Sequence, residues 1–481
     1  MTPEGPAETG FGQTPVGQTE SVCPTCLRRL PATRVALGED VYLRKTCPDH
    51  GDFSTVIWRG SPSYRTWVRP KLPSTPQNPA TAVDRGCPFD CGLCPDHRQA
   101  SCCVLLEVTQ RCDLRCRVCF ADAGHGRTGD ASGDPSLEQI ESWYRSLLDA
   151  AGPVNVQLSG GEPTLRDDLP EIVRLGRDLG FTFFQLNTNG LRLGRDPEYV
   201  HRLADAGLST VFLQFDSLRD DANQRLRGRP LTARRRWAIE RCADAGIGVV
   251  LVPTIVPGVN LRDLGPLVRY ALDLVPAVRG VHVQPVSYFG RYPGKPGTPG
   301  PPTDEDRVTL PEIMRAIVAG TGGRIPLSAF APPGGENAWC SFHANVVVMP
   351  DGDLVRLTTN PAASGCCPAP TPARDGAAQS RRTVARLWSA PGPLIPLQQA
   401  PCCRPARPSL GGWDVLLERA RTHTFSVSGM AFQDVWNLDL ERLRDCYIHH
   451  VSPDGRLIPF CAYNLTDAAG SPLYRAAGVR R

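Results

Sequence analysis

The sequence predicts an α/β fold: a partial (β/α)6 barrel that follows an N-terminal Cys-rich metal ribbon and precedes a small C-terminal cysteine-containing domain. Three observations carry this. Between residues 104 and 290, short apolar runs ending in Gly, Asn or Asp alternate with segments of helical period. Two cysteine knuckles at metal-ligand spacing stand before that region, and two Pro-Asp-Gly turns lie near isolated cysteines after it.

The chain has 481 residues, 41% hydrophobic and 21% charged, which is long enough for more than one domain and ordinary for a soluble globular protein. A formal charge of +4 without a basic run gives no reason to expect nucleic acid as a partner. Nineteen cysteines in a long chain without a signal peptide read as metal ligands in a reducing cytoplasm rather than as disulfides. No apolar stretch approaches the roughly twenty residues that span a bilayer. Pro/Gly-rich stretches set the boundaries: a disordered tail over 1–20, the ribbon over 21–70, a linker with a cysteine block over 71–103, the barrel over 104–290, an exit linker over 290–303, and the C-terminal domain over 304–481. That last domain contains an irregular Pro-rich insertion over 361–412, with one short helix at TVARLWSA.

In the ribbon, Cys23-Pro-Thr-Cys26 and Cys47-Pro-Asp-His50 bracket the strand-like VALGEDVYLRKT. Cys-x2-Cys with Cys-x2-His suits one tetrahedral ion, either zinc or a rubredoxin-type iron; His50 also reads as a surface histidine beside a turn. Next, Cys87, Cys91, Cys94 and Cys102 supply four thiolates within sixteen residues, suited to a fully ligated auxiliary [4Fe-4S] cluster, with structural zinc as the rival. Cys103 cannot point the same way as Cys102 and reads as a spare buried thiol.

The first barrel strand, VLLEVT, leads into Cys112, Cys116 and Cys119, a Cys-x3-Cys-x2-Cys triplet. Three thiolates hold three irons of a [4Fe-4S] cluster and leave the fourth iron open, although short cysteine spacings are shared with zinc knuckles. The next strand, VNVQLS, runs into Gly160-Gly161-Glu162-Pro163, where two glycines let the backbone approach a ligand and Glu162 can pair with an ammonium group. Further strands are FTFFQLNTNG (181–190), LSTVFLQFDS (208–217), GIGVVLVPTIVPGVN (246–260) and GVHVQPVSYFG (280–290). Helix-period residues such as Tyr199, Leu203 and Ala206, or Trp237, Ile239 and Cys242, separate them. Gln185, Asn187, Asn189, Gln214, Asp216, Thr254, Asn260 and Gln284 sit where these strands end, the side on which parallel β/α folds bind ligands; Asn and Asp also simply begin turns. Beyond the barrel, Cys340, Cys446 and Cys461 are far apart in sequence. The turns near them suit a β-rich region that gathers them into a further cluster, with a fourth ligand from Cys366, Cys367, Cys402 or Cys403; unliganded buried thiols are the other reading. No general base stands out, and His449 and His450 have no distinctive context.

The triplet followed by the GGEP segment resembles the radical S-adenosylmethionine (SAM) superfamily, although an aromatic usually precedes the third cysteine and Val118 stands there, with Phe120 after it. The ribbon, the block CPFDCGLCPDHRQASC and the ending LIPFC resemble one subfamily within it, the group of archaeal tetraether lipid synthase and methanopterin-pathway pterin methylase. The resemblance implies a radical SAM barrel in which the open iron chelates SAM and cleaves it to a 5'-deoxyadenosyl radical. That radical abstracts hydrogen from an unactivated carbon, leading to C-C bond formation or methylation of a lipid- or pterin-type small molecule. It implies that Gly160, Gly161, Glu162 and Pro163 contact the SAM amino group, that Asn187, Asn189, Gln214 and Asp216 face SAM or substrate, and that residues 254–260 lie beside the adenosine. A one-electron reductant such as flavodoxin or ferredoxin is the implied partner. Two other readings fit the same cysteines: a peptide-modifying radical SAM enzyme with auxiliary clusters, and a zinc-stabilised scaffold without catalysis.

Overall fold

The computed structural model describes residues 13–124, 133–292, 302–358, 370–391 and 412–475. The ribbon is an antiparallel meander of β1 (Gln13–Val22), β2 (Arg29–Leu37), β3 (Asp40–Cys47) and β4 (Gly51–Trp58). Residues 13–20, expected in a disordered tail, are part of β1, because Gln13 to Val22 pair with Leu37 to Arg29 along the edge of this sheet. The ribbon is anchored to the rest of the chain by polar contacts: Ser21 Oγ donates to the Leu438 carbonyl (2.5 Å) and Arg34 pairs with Asp439 at 2.8 Å.

After the two-residue β5 (Lys71–Leu72) the barrel strands follow: β6 (Cys103–Thr109), β7 (Asn155–Gly160), β8 (Phe184–Thr188), β9 (Thr210–Gln214), β10 (Gly248–Val252), the short β11 (Thr254–Ile255) and β12 (Val278–Pro285). Their parallel pairing is that of the expected partial barrel. The helices between them are α1 (Leu137–Ala151), α2 (Leu169–Asp178), α3 (Pro197–Ala206), α4 (Asp220–Arg227), α5 (Thr232–Asp244) and α6 (Leu264–Asp273). The pleat divides each strand between two environments. Val104, Leu106, Val156, Leu158, Leu186, Val211, Leu213, Val249, Leu251, Val281 and Val283 enter one apolar core with the inner faces of the helices. Tyr199, Leu203 and Ala206 take their expected core positions, whereas Trp237 is 43% exposed and lies under the Arg234 guanidinium on the outer face of α5.

The C-terminal region is continuous with the barrel. It contributes α7 (Leu310–Gly320), β13 (Ser341–Val348), β14 (Leu354–Arg356), β15 (Thr371–Pro372), α8 (Ala373–Trp388), α9 (Gly412–Thr422), β16 (Thr424–Met430), α10 (Leu440–Arg444), β17 (Ile448–Val451), β18 (Leu457–Pro459) and α11 (Phe460–Tyr463). Among the described residues one sheet runs β14-β13-β16-β12-β10-β9-β8-β7-β6-β17-β18. Both barrel edges are therefore covered from the C-terminal region, β16 running parallel to β12 and β17 parallel to β6. The expected C-terminal cysteine-containing region therefore shares its sheet with the barrel: an edge strand leaves unpaired backbone groups, and these are satisfied by strands from later in the chain. Both Pro-Asp-Gly segments form the expected hairpins, with Gly352 and Gly455 at positive φ and Met349 N–H and Ser452 N–H closing the turns at 2.8 and 2.9 Å. The insertion expected to be irregular over 361–412 holds the sixteen-residue α8, while its Cys366, Cys367, Cys402 and Cys403 lie outside the described residues. Trp388, the last residue of α8, packs on Phe212 (4.7 Å between ring centroids) and His282 (6.0 Å). A Cβ on Gly248, where β10 begins, would sit 2.1 Å from the Trp388 carbonyl, so glycine is what lets α8 come this close.

Candidate active site and metal centres

The strand residues that do not enter the outer core line a cavity of about 240 Å³ inside the barrel. From β7 to β12 they include Asn155, Gln157, Gln185, Asn187, Phe212, Gln214, His282 and Gln284, all in the alternate register of their strands. At one end the cavity reaches Cys112, Cys116 and Cys119, in the segment that follows β6, and Gly160, Gly161 and Glu162, at the end of β7.

The glycine pair acts on the cysteine loop. Gly161 N–H donates to the Thr109 carbonyl (2.8 Å) and Glu162 N–H to the Arg111 carbonyl (2.7 Å). A Cβ on Gly160 would stand 2.1 Å from Thr109 O, and one on Gly161 2.1 Å from Arg111 O. Glycine is needed here so that two backbones can touch, in addition to any room left for a ligand. Glu162 is buried, and Oε1 accepts from Thr164 N–H (3.1 Å), Thr164 Oγ1 (2.6 Å) and Thr188 Oγ1 (2.7 Å) while Oε2 accepts from Asn189 N–H (2.7 Å). Burial pushes its carboxyl up to about 7 against the opposing pull of these bonds. The carboxylate expected to meet an ammonium group thus has its oxygens engaged in joining the ends of β7 and β8. Pro163 opens the short helical turn that follows and is not among the cavity-lining residues.

Asn189 Nδ2 reaches back to Asp113 Oδ1 at 2.7 Å and so ties β8 to the cysteine loop. Asn187 Oδ1 accepts from Gln157 Nε2 (2.6 Å), and Gln214 Oε1 from Arg235 (3.1 Å). Thr254 lines the cavity, and Asn260 instead donates to the Thr254 and Asp216 carbonyls. Asp216, expected to face SAM or substrate, lies behind the cavity wall. Its oxygens take Arg227 Nη2 (2.7 Å) and Nε (2.8 Å), with Arg235 at 3.5 Å. Burial would raise its carboxyl, but the two guanidinium groups hold it below the usual value. Arg227, which nothing in the sequence distinguishes from its neighbouring arginines, does line the cavity; it donates to the Val118 carbonyl at 2.9 Å and lies beside Cys116. Burial among Leu114, Leu191 and Leu231 raises the Cys112 and Cys116 thiols, and Arg227 partly counters this at Cys116. Three soft donors in an apolar nest, with a cation beside one, fit a thiolate-ligated iron-sulfur cluster.

The other cysteines gather at three places. Cys23, Cys26, Cys47 and His50 have ligand atoms within 4.8 Å of one another, with Cys26 and Cys47 sulfurs 3.9 Å apart and His50 Nδ1 3.6 and 3.5 Å from Cys23 and Cys47. A tetrahedral ion with bonds near ~2.3 Å holds its donors at this spacing. Burial opposes ionisation of Cys47, yet hydrogen bonds with His50 and backbone N–H groups bring it down to about 6. Cys87, Cys91 and Cys94 line a second small cavity together with His97. Cys102, expected to complete that quartet, instead lines the barrel cavity with Cys103, because Cys102 N–H is fixed to the Tyr447 carbonyl (2.7 Å) at the mouth of the β6–β17 pairing. Cys103, read as a spare thiol, contacts Gln157 Oε1 at 3.5 Å. Cys340, Cys446 and Cys461 do converge, on a third cavity shared with Glu336 and Arg442, whose Nε lies 3.4 Å from Cys340 Sγ. Among the described residues, only the ribbon group has three or more such ligand atoms within single-ion distance.

Fold and site together define a radical SAM protein. The chain matches a family described as "Radical SAM superfamily" over residues 106–271 and one described as "HMPTM N-terminal zinc ribbon domain" over 15–59. It is 33% identical over 483 residues to 7,8-dihydro-6-hydroxymethylpterin dimethyltransferase of Methanocaldococcus jannaschii, covering 93% of each chain. The chain belongs to this family of radical SAM enzymes, so its class brings a [4Fe-4S] cluster and SAM, and the non-catalytic scaffold reading is set aside. It is also 31% identical over 189 residues to PqqA peptide cyclase of Bradyrhizobium diazoefficiens, covering 39% of this chain and 47% of that one. The SAM-bound structure of SuiB from Streptococcus suis overlaps 42% of this chain and 45% of its own at 18% identity, with a TM-score of 0.35. No helix of the described residues is long and apolar enough to cross a membrane.

Proposed function

We propose that this enzyme alkylates a flat, polar heterocycle of the reduced-pterin type, by hydrogen abstraction from an inert carbon followed by methylation or C-C bond formation. The observation that carries this is the cavity wall. Asn155, Gln157, Gln185, Asn187, Gln214 and Gln284 place carboxamides along the strands of a cavity that Phe212, Phe289, Phe432, Phe460 and Trp388 also line. A carboxamide both donates and accepts, and so matches the alternating edge of a lactam and amino-pyrimidine ring, while aromatic side chains suit its face. A lipid chain calls for a dry apolar channel, which a row of carboxamides would penalise. The relative's name supports the same substrate class.

Cys112, Cys116 and Cys119 would hold the SAM cluster, which when bound supplies one-electron reduction of the sulfonium. This chain's own residues do the rest. The glycine pair and Asn189 fix the cysteine loop, Arg227 places positive charge beside Cys116, and the apolar wall excludes water from the reacting carbon. The ribbon would hold zinc, and Cys87, Cys91 and Cys94, like Cys340, Cys446 and Cys461, would hold auxiliary clusters that pass electrons from a flavodoxin- or ferredoxin-type reductant. Neither set closes to single-ion spacing, whereas a cluster, whose thiolates bind different irons, needs them further apart.

The test is 5'-deoxyadenosine formation by anaerobically reconstituted, dithionite-reduced protein with 6-hydroxymethyl-7,8-dihydropterin, a diether lipid or no substrate. A Cys112→Ala, Cys116→Ala, Cys119→Ala variant serves as control. The proposal expects turnover in the wild type alone, stimulated by the pterin. Stimulation by the lipid and not the pterin would overturn the substrate class.

A further inference from the structure

Cys87, Cys91 and Cys94 are three thiols for a cluster of four irons, and Cys102 lines a different cavity. We propose that His97 is the fourth ligand of this centre, through Nδ1, an inference that rests on the auxiliary-cluster reading above. His97 stands three residues after Cys94, and its N–H bonds to the Cys94 carbonyl at 2.9 Å, which turns the chain back onto the cysteines. It is only 4% exposed and lines the same small cavity as the three cysteines, together with Asp96, Leu443, Arg444 and Pro459.

The tautomer follows from one contact. Nε2 lies 2.8 Å from the Cys446 carbonyl oxygen. A carbonyl only accepts, so Nε2 carries the proton and Nδ1 is left with a free lone pair. No described group donates to Nδ1; the nearest ring, His449, meets His97 edge-on at 5.1 Å between centroids. Metal-ligating imidazoles commonly donate their other N–H to a backbone carbonyl, as His97 does here. The acceptor belongs to Cys446, whose thiol is in the third cavity. His97 therefore joins the two auxiliary centres through a single hydrogen bond, and Cys102 stays free in the reaction chamber.

The test uses full-length protein carrying Cys112→Ala, Cys116→Ala and Cys119→Ala, so that only auxiliary iron remains, reconstituted anaerobically and reduced. Pulsed EPR on protein with 15N-labelled histidine should show one strongly coupled imidazole nitrogen. His97→Cys should keep the iron and sulfide content, lose that coupling and move one potential to a more negative value, while Cys102→Ser should leave all three readouts unchanged. A cluster without nitrogen coupling, or one whose iron is lost in Cys102→Ser and kept with unchanged spectra in His97→Cys, would overturn the assignment. Iron content that does not fall in a further Cys87→Ala, Cys91→Ala variant would instead remove the auxiliary-cluster reading at this place, and His97 ligation with it.

Discussion

Gly161→Ala isolates the role of backbone contact at the cysteine loop. The new Cβ would lie 2.1 Å from Arg111 O, about 1 Å inside the closest ordinary contact, and the neighbouring atoms are Arg111 C at 2.7 Å and Gln110 O at 3.0 Å, all backbone. No flexible side chain can yield, so the loop bearing Cys112 must move or the bonds Gly161 N–H to Thr109 O and Glu162 N–H to Arg111 O must break. Overpacking at about 1–3 kcal/mol plus one weakened hydrogen bond at about 1 kcal/mol gives a loss of about 2–4 kcal/mol. A displacement of about 1 Å in positioned groups lowers rate about 100-fold. Two further glycines separate the contributions. Gly246 has φ +71° with nothing within 4 Å, so Gly246→Ala adds backbone strain alone, about 1 kcal/mol, and leaves turnover intact. Gly160 combines φ +130° with a contact of 2.1 Å to Thr109 O and should be the most damaging of the three. Denaturant melts and 5'-deoxyadenosine yield at matched iron loading give both readouts. If Gly161→Ala melted and turned over like wild type while Gly246→Ala showed its expected loss, the contact would not be holding the loop.

Asp216→Asn leaves the buried Arg227 and Arg235 without their counter-charge and should cost about 3–5 kcal/mol in a denaturant melt, against near-neutrality if Asp216 instead faced an open site. At Glu107, burial alone would raise the carboxyl, but Arg475 holds it below its ordinary value. Its stabilisation is complete above about pH 4.3 and lost as pH falls through the lowered value, so Glu107→Gln should flatten the acid end of the Tm–pH curve. Cys47→Ser should remove one metal equivalent and the ribbon's amide protection in hydrogen exchange while the barrel iron stays; retention of the metal would place it elsewhere. Gln284 makes no side-chain hydrogen bond among the described residues although it lines the cavity. Gln284→Ala should therefore raise KM for the pterin with little change in Tm, and an unchanged KM would remove it from the binding edge.

What could be read in the sequence was what spacing alone determines. The triplet, the knuckles and the GGEP segment are local, because a metal or a turn needs its residues within a few positions of one another, and the structure brings each of them together. The convergence of Cys340, Cys446 and Cys461 was legible for a different reason: Pro-Asp-Gly turns announce hairpins, and hairpins return the chain to a shared edge. What failed was the choice of partner. Asp216 ends a strand in the sequence, but whether it faces the cavity depends on Arg227, eleven residues away on α4, folding behind it. Cys102 sits at good spacing from Cys94, yet its backbone is pinned by Tyr447 from the far end of the chain. Residues 13–20 carry too few apolar side chains to read as a strand, because they are held by pairing with β2 more than by burial.

The strand β17 shows why the C-terminal cysteines and the barrel cannot be separate domains. It pairs with β6, the strand that leads into Cys112, Cys116 and Cys119, through Ile448, His449 and His450 opposite Cys103, Val104 and Leu105. Immediately before it, Cys446 faces the third cavity, while Tyr447 and Ile448 line both that cavity and the reaction chamber. A single extended segment therefore fixes the offset between the chamber and a cysteine centre to the register of a β-ladder. A one-residue slip of that register would turn Cys446 away from Cys340 and Cys461 and expose the backbone of β6 at once. The same coupling makes the placement of these cysteines a consequence of closing the barrel edge. With the proposed cluster bound at Cys340, Cys446 and Cys461, variants that weaken the β6–β17 pairing should accordingly lose its iron before the barrel unfolds, which iron content followed against circular dichroism along a urea titration would detect; simultaneous loss would mean that edge and barrel open as one unit.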